Sequence, residues 1–235
     1  MGDHGRVNMR ATPAREATSD RRRLSRGEEV PQARGLVHLA AVVVALPAGA
    51  VLVWRHGPGG GVVLYALALV GLYAVSASYH LCSLSPVARR RMRQADHEMI
   101  FVFIAATTTP YCLLGVPGLL SDVVLGLVWL GAAASALAIL ARFEATRTLT
   151  SVAYIVLGWL AVLTLPEAAH RLDALQLAML GSMGLVYTAG AGVLWRKWPN
   201  PSSRVFGYHE VWHAMVVLAS GCGFALIWSL AGSGH

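Results

Sequence analysis

An all-α, integral membrane seven-helix bundle is the fold class this chain predicts, and three observations carry the expectation. Hydrophobic residues fill 56% of the 235 positions and charged residues only 13%. The apolar residues come in long blocks, the pattern of a membrane domain rather than of a soluble core. Each block is close to the roughly 20 residues that a helix needs to cross a hydrocarbon layer about 30 Å thick.

The elements follow in order. Residues 1–35 are polar, Arg-rich and poor in aromatics, so they read as a disordered basic tail ahead of a seven-transmembrane-helix domain over 36–235. They make no signal peptide, because the next apolar stretch has spanning length and no small-residue cleavage site. Spans are expected near 36–54, 61–81, 97–114, 121–141, 148–165, 175–195 and 208–230. The second ends on Ser76 and His80. The third begins at Asp96, where an acid also suits a helix start. The fifth is the shortest. Gly181, Gly184, Gly190 and Gly192 in the sixth suit close helix approach. The seventh opens with His209 and His213.

Charge placement orients the bundle. Eight arginines precede the first span, four lie between the second and third, two between the fourth and fifth, and Arg196, Lys197 and Arg204 between the sixth and seventh. The opposite connections hold only Arg55 and Arg171. Seventeen against two puts the N-terminus in the cytoplasm and the C-terminus outside. The net charge of +7 is then a consequence of topology, with attraction to anionic headgroups added. The lipid bilayer is the expected partner. No nucleic acid is expected, the Arg21-Arg22-Arg23 run included.

This orientation brings five polar residues to one membrane face: Ser76, His80, Asp96, His209 and His213. Ionisable residues at membrane depth are costly and therefore candidates for function. Ser76 and His80 are i, i+4, as are His209 and His213, so each pair shares a helix face. Three neutral imidazoles suit Zn2+, with a fourth position left for water. Asp96 is then placed to take a proton from that water, and Ser76 to orient the hydrogen-bond network. A single interfacial histidine is commonly just an amphipathic anchor; the coincidence of five is what points to a site. His38 has no partner at helical spacing, and His56, His170 and His235 belong to the other face, while His4 lies in the tail. His97 points about a third of a turn from Asp96 and reads as interfacial.

His209-Glu210-Val211-Trp212-His213 also spells HExxH, the helical zinc motif in which the glutamate is a general base. An intramembrane metalloprotease is the rival this raises. After His213 only Cys222 and His235 remain as acid–base groups, both towards the opposite face, so a third ligand has to come from upstream, where His80 and Asp96 stand. Glu210 is then interfacial or supporting. Cys82, Cys112 and Cys222 form no CxxC and read as free thiols.

Taken together, Ser76-x-x-Tyr79-His80, Arg93-x-x-Asp96-His97-x-x-Ile100, the run Ile104 to Pro110, Gly158-Trp159, Tyr187-Thr188-Ala189-Gly190 and Phe206 to His213 resemble the hemolysin III family. This is the bacterial branch of the progestin and adipoQ receptor group, distantly similar to alkaline ceramidases. The resemblance runs from span one to span seven. It implies a zinc ion held by His80, His209 and His213, with Asp96 contacting it through water and Ser76 nearby. Two positions depart from the pattern: Thr108 replaces an aromatic residue before Pro110, and Gly223 stands where some relatives have a histidine.

Three functions are carried forward. The first is zinc-dependent hydrolysis of a lipid-like amide or ester. The second is a non-enzymatic regulator or sensor of membrane state with a structural zinc. The third is cytolysis, although no periodic polar face suggests a pore. The expected location is the plasma membrane, as a multi-pass protein, and 18 arginines against one lysine fit a bacterial source.

Overall fold

A computed structural model of the chain describes residues 33–140, 147–202 and 204–233. Among these residues the regular structure is helical, apart from one isolated bridge between Ser202 and Phe206. The helices are α1 (Leu36–His56), α2 (Val62–Leu81), α3 (Pro86–Pro110), α4 (Leu119–Leu140), α5 (Arg147–Trp159), α6 (Leu165–Arg171), α7 (Ala174–Arg196) and α8 (Tyr208–Gly232). A wider turn over Tyr111–Gly115 extends α3, and a tighter one over Leu160–Thr164 joins α5 to α6. Seven of the resulting segments are long and apolar enough to cross a membrane.

The third span departs most from the hydropathy reading. Its helix begins at Pro86, not near residue 97, with Ser85 as N-cap accepting from the Ala88 N–H at 3.3 Å. Proline is pre-set for the first helical turn, and arginine is a good helix former, so the helix runs on where hydropathy falls. Asp96 therefore lies within α3 and does not cap it. The fifth span is α5 and α6 joined through the tighter turn, and reaches Arg171 rather than stopping at 165.

Spans one, two, three and seven make the core. Leu52, Val62, Tyr65, Phe103, Leu226 and Ile227 form its buried centre. α8 closes this group by touching α1, α2 and α3, while its longest contact is with α7. A smaller cluster, Phe101 and Ala105 against Val124, Val128 and Ala132, fastens α4 to α3. Of the four glycines in the sixth span, Gly190 is the close-packed one: a methyl there would meet Trp212 at 3.1 Å, whereas Gly181, Gly184 and Gly192 meet nothing within 4 Å.

The tail expected over residues 1–35 lies outside the described residues as far as 32, as do Arg142, His4 and His235. Ala33–Gly35 are not part of any loose tail. They form a turn in which the Ala33 N–H donates to the Val205 carbonyl at 3.1 Å, tying the start of α1 to the loop before α8.

Candidate metal centre

α2 ends, α3 begins, α1 begins and α8 begins on one face of the bundle, here called the Arg34 face. That shared level is what assembles the site. His80 occupies the last turn of α2, and His209 and His213 the first two turns of α8. One ligand atom from each of the three lies within 4.8 Å of the others. The Nε2 atoms of His80 and His209 are 3.4 Å apart. Two nitrogens bound to one tetrahedral zinc at about 2.0–2.1 Å are themselves roughly 3.3 Å apart, so this spacing already matches a shared ion.

Ring orientation agrees. The planes of His80 and His209 are tilted by 76°, His80 and His213 by 55°, and His209 and His213 by 56°. An imidazole lone pair lies in its ring plane, so inclined rings can direct their nitrogens to one point. His213 is buried, and its Nδ1 has no hydrogen-bond partner. An imidazole nitrogen left bare in a membrane interior is costly unless something meets it. An ion carried by three imidazoles fits these residues.

Ser76 is buried one turn below His80, and the Asp96 carboxyl group lies beside it. The structure thus brings Ser76 beside Asp96, while among the described residues the group that could share one ion consists of the three histidines. His97 is exposed, and its carbonyl accepts from the Tyr154 hydroxyl at 3.0 Å, anchoring α5 to α3.

Glu210 has a different job from the one HExxH suggests. It is 0% exposed. Its Oε1 accepts from Arg34 Nε at 3.2 Å, and its Oε2 accepts from the Gly207 N–H at 2.8 Å. Both oxygens are occupied in fixing the first turn of α8 to the turn before α1, which satisfies a helix-start N–H and pairs a buried charge. The neighbouring Gly35 has φ 87°, and a methyl group on it would lie 2.8 Å from His80 Cβ. Glycine lets the backbone pass directly over this histidine.

Helical spacing gives His38 no partner in the sequence, yet it belongs to this cluster. It is 4% exposed, and its ring stacks on that of His213 with centroids 4.0 Å apart and planes within 9°. Its depth, three residues into a span that starts on the Arg34 face, was the available signal. Spacing within one helix could not reveal it, because its partner lies 175 residues away on another.

Known proteins agree with this architecture. A family model described as haemolysin-III related matches residues 29–224. The chain is 27% identical over 195 residues to Hemolysin-3 of Bacillus cereus, covering 79% of this chain and 84% of that protein. It is 25% identical over 202 residues to the Hemolysin-3 homolog of Bacillus subtilis (strain 168), covering 82% and 90%. Over 170 residues it is 26% identical to the Monocyte to macrophage differentiation factor of Homo sapiens, covering 70% of this chain and 68% of that one.

Proposed function

This chain belongs to the haemolysin-III-related family of multi-pass membrane proteins, and we propose that it binds zinc through His80, His209 and His213 and hydrolyses a lipid-like amide or ester at the inner leaflet. The observation that carries the reading is the convergence of three imidazoles from two helices within 4.8 Å. In the proposed orientation the Arg34 face is cytoplasmic, a reading the distribution of basic residues supports.

Zinc would supply Lewis acidity, polarising a carbonyl and making water nucleophilic near neutral pH. The chain's own residues do the rest. Asp96 takes the proton from the attacking water, and the neighbouring Ser76 hydroxyl is placed to orient its carboxyl group. The carbonyl carbon gains the water oxygen, the C–N or C–O bond breaks, and the proton passes to the leaving amine or alcohol. The inner-leaflet depth of the histidines suits a substrate whose polar linkage sits at the headgroup boundary.

Asp96→Asn tests this directly. Reconstituted protein is assayed against long-chain amides and esters in lipid vesicles, with metal content measured alongside. Lost turnover with zinc retained supports the hydrolase. Turnover that survives the substitution removes Asp96 from the mechanism.

A zinc that only staples helices is the second reading, favoured by the meeting of His80 on α2 with His209 and His213 on α8. It expects zinc without turnover in the wild type. The Bacillus cereus relative's name carries the cytolytic reading. Dye release from liposomes by purified protein tests it, and intact liposomes would remove it.

A further inference from the structure

We propose that His38 is a positioning residue for the metal centre: its imidazole, stacked flat on His213, holds that ring in the plane from which its nitrogen meets His80 and His209. The inference rests on the zinc reading above.

Four histidines meet here, but not equivalently. His80, His209 and His213 present planes inclined to one another by 55–76°. His38 and His213 lie parallel within 9° at a centroid distance of 4.0 Å. Parallel rings at stacking distance direct their in-plane lone pairs along separate planes, so His38 and His213 do not converge on one ion. Among the described residues the metal-competent group likewise consists of the other three.

The contact His38 offers is its face. Neither of its ring nitrogens makes a hydrogen bond, although the residue is buried. Burying an imidazole in that condition is costly, and stacking is the interaction on hand to offset it. A ligand imidazole becomes electron-poor when it binds a cation, and a π face stacked against it is then attracted more strongly. Tyr73 flanks His38 at 5.3 Å between centroids, and its hydroxyl is hydrogen-bonded to Ser220. A run of packed side chains from α8 through α2 to α1 therefore supports the ring that supports His213.

This makes a prediction separable from ordinary packing. Phenylalanine keeps a flat face but has no nitrogen; leucine fills similar space with no face. Full-length protein in detergent is titrated with Co2+ against a competing chelator, and the visible d–d band of the bound ion is recorded. His38→Leu weakens cobalt binding by about 10–100-fold, the usual range for residues that orient a ligand, and shifts the band. His38→Phe keeps the wild-type band and binds within roughly threefold of wild type, a difference under about 1 kcal/mol. If His38→Leu does not yield monodisperse protein, His38→Met removes the ring in its place.

A flat-ring-free variant with wild-type affinity and band overturns the inference. So does a phenylalanine variant as impaired as leucine, since the nitrogens rather than the face would then matter. Wild-type protein that takes up no cobalt or zinc overturns the zinc reading itself, a failure seen before any variant is made.

Discussion

At the end of the bundle away from Arg34, the Tyr111 and Thr164 hydroxyls share a 2.7 Å hydrogen bond, Ser121 donates to the Val116 carbonyl at 2.5 Å, and Gln176 Nε2 donates to Ser229 at 2.9 Å. Asp173 and Gln176 cap α7 reciprocally. At the Arg34 end, His213 Nδ1 and both nitrogens of His38 are buried without a partner, and two Nε2 atoms face each other at 3.4 Å. His56 Nε2 is also bare at the first end, and its ring is packed edge-on against Trp228. The contrast separates two uses of polar groups in a membrane. One end spends them on protein partners, as a bilayer demands. The other gathers three imidazoles from two helices within 4.8 Å of one another, the arrangement that a shared cation would join.

The sharpest way to break this contrast is at the link that builds the second end. Glu210→Ala leaves Arg34 and the Gly207 N–H unpaired, and thermal unfolding should show a loss of about 3 kcal/mol, with Arg34 reaching water and keeping the cost at the lower end for buried pairs. Metal affinity should fall with it, because α8 loses its anchor. Unchanged stability would mean that the 3.2 Å contact holds nothing. Adding zinc is the next test. At a free concentration 100 times its dissociation constant, the wild type should gain about 2.7 kcal/mol and His80→Ala almost nothing. An equal gain in both would place any ion elsewhere.

Smaller effects sharpen the comparison. Gly35→Ala forces a methyl into a left-handed turn and against His80 Cβ, for which about 1–2 kcal/mol is expected, together with weaker zinc binding. Zinc titration and melting separate the two consequences. At the opposite end, Tyr111→Phe should cost about 1 kcal/mol, since Thr164 still donates to the Ala161 carbonyl, and should leave zinc affinity alone. A shift in affinity there would couple two ends that the structure keeps apart.

Much of this was legible in the residues, and the failures have physical causes. Long apolar blocks expose spans directly, because the bilayer sets their length. The i, i+4 pairs Ser76/His80 and His209/His213 exposed two helix faces, and charge placement put them on one level. Hydropathy missed Pro86 to Asp96 because a helix can leave the hydrocarbon and continue. Glu210 reads as interfacial or supporting despite HExxH, and it turns about 100° from His209 on the helix to meet Arg34. His38 was missed since periodicity reports neighbours within a helix and is blind to a ring stacked from another. The glycines of span six show the same limit: small residues permit close approach, and at Gly190 alone of the four does a neighbour take it up.

Zinc content per chain, measured on purified wild-type protein beside His80→Ala and His213→Ala, decides whether the three imidazoles hold an ion. About one ion is expected in the wild type, for a single three-histidine site, and near none in either variant. Wild-type protein without zinc after metal-supplemented purification, or variants that retain it in full, would rule out a three-histidine zinc site.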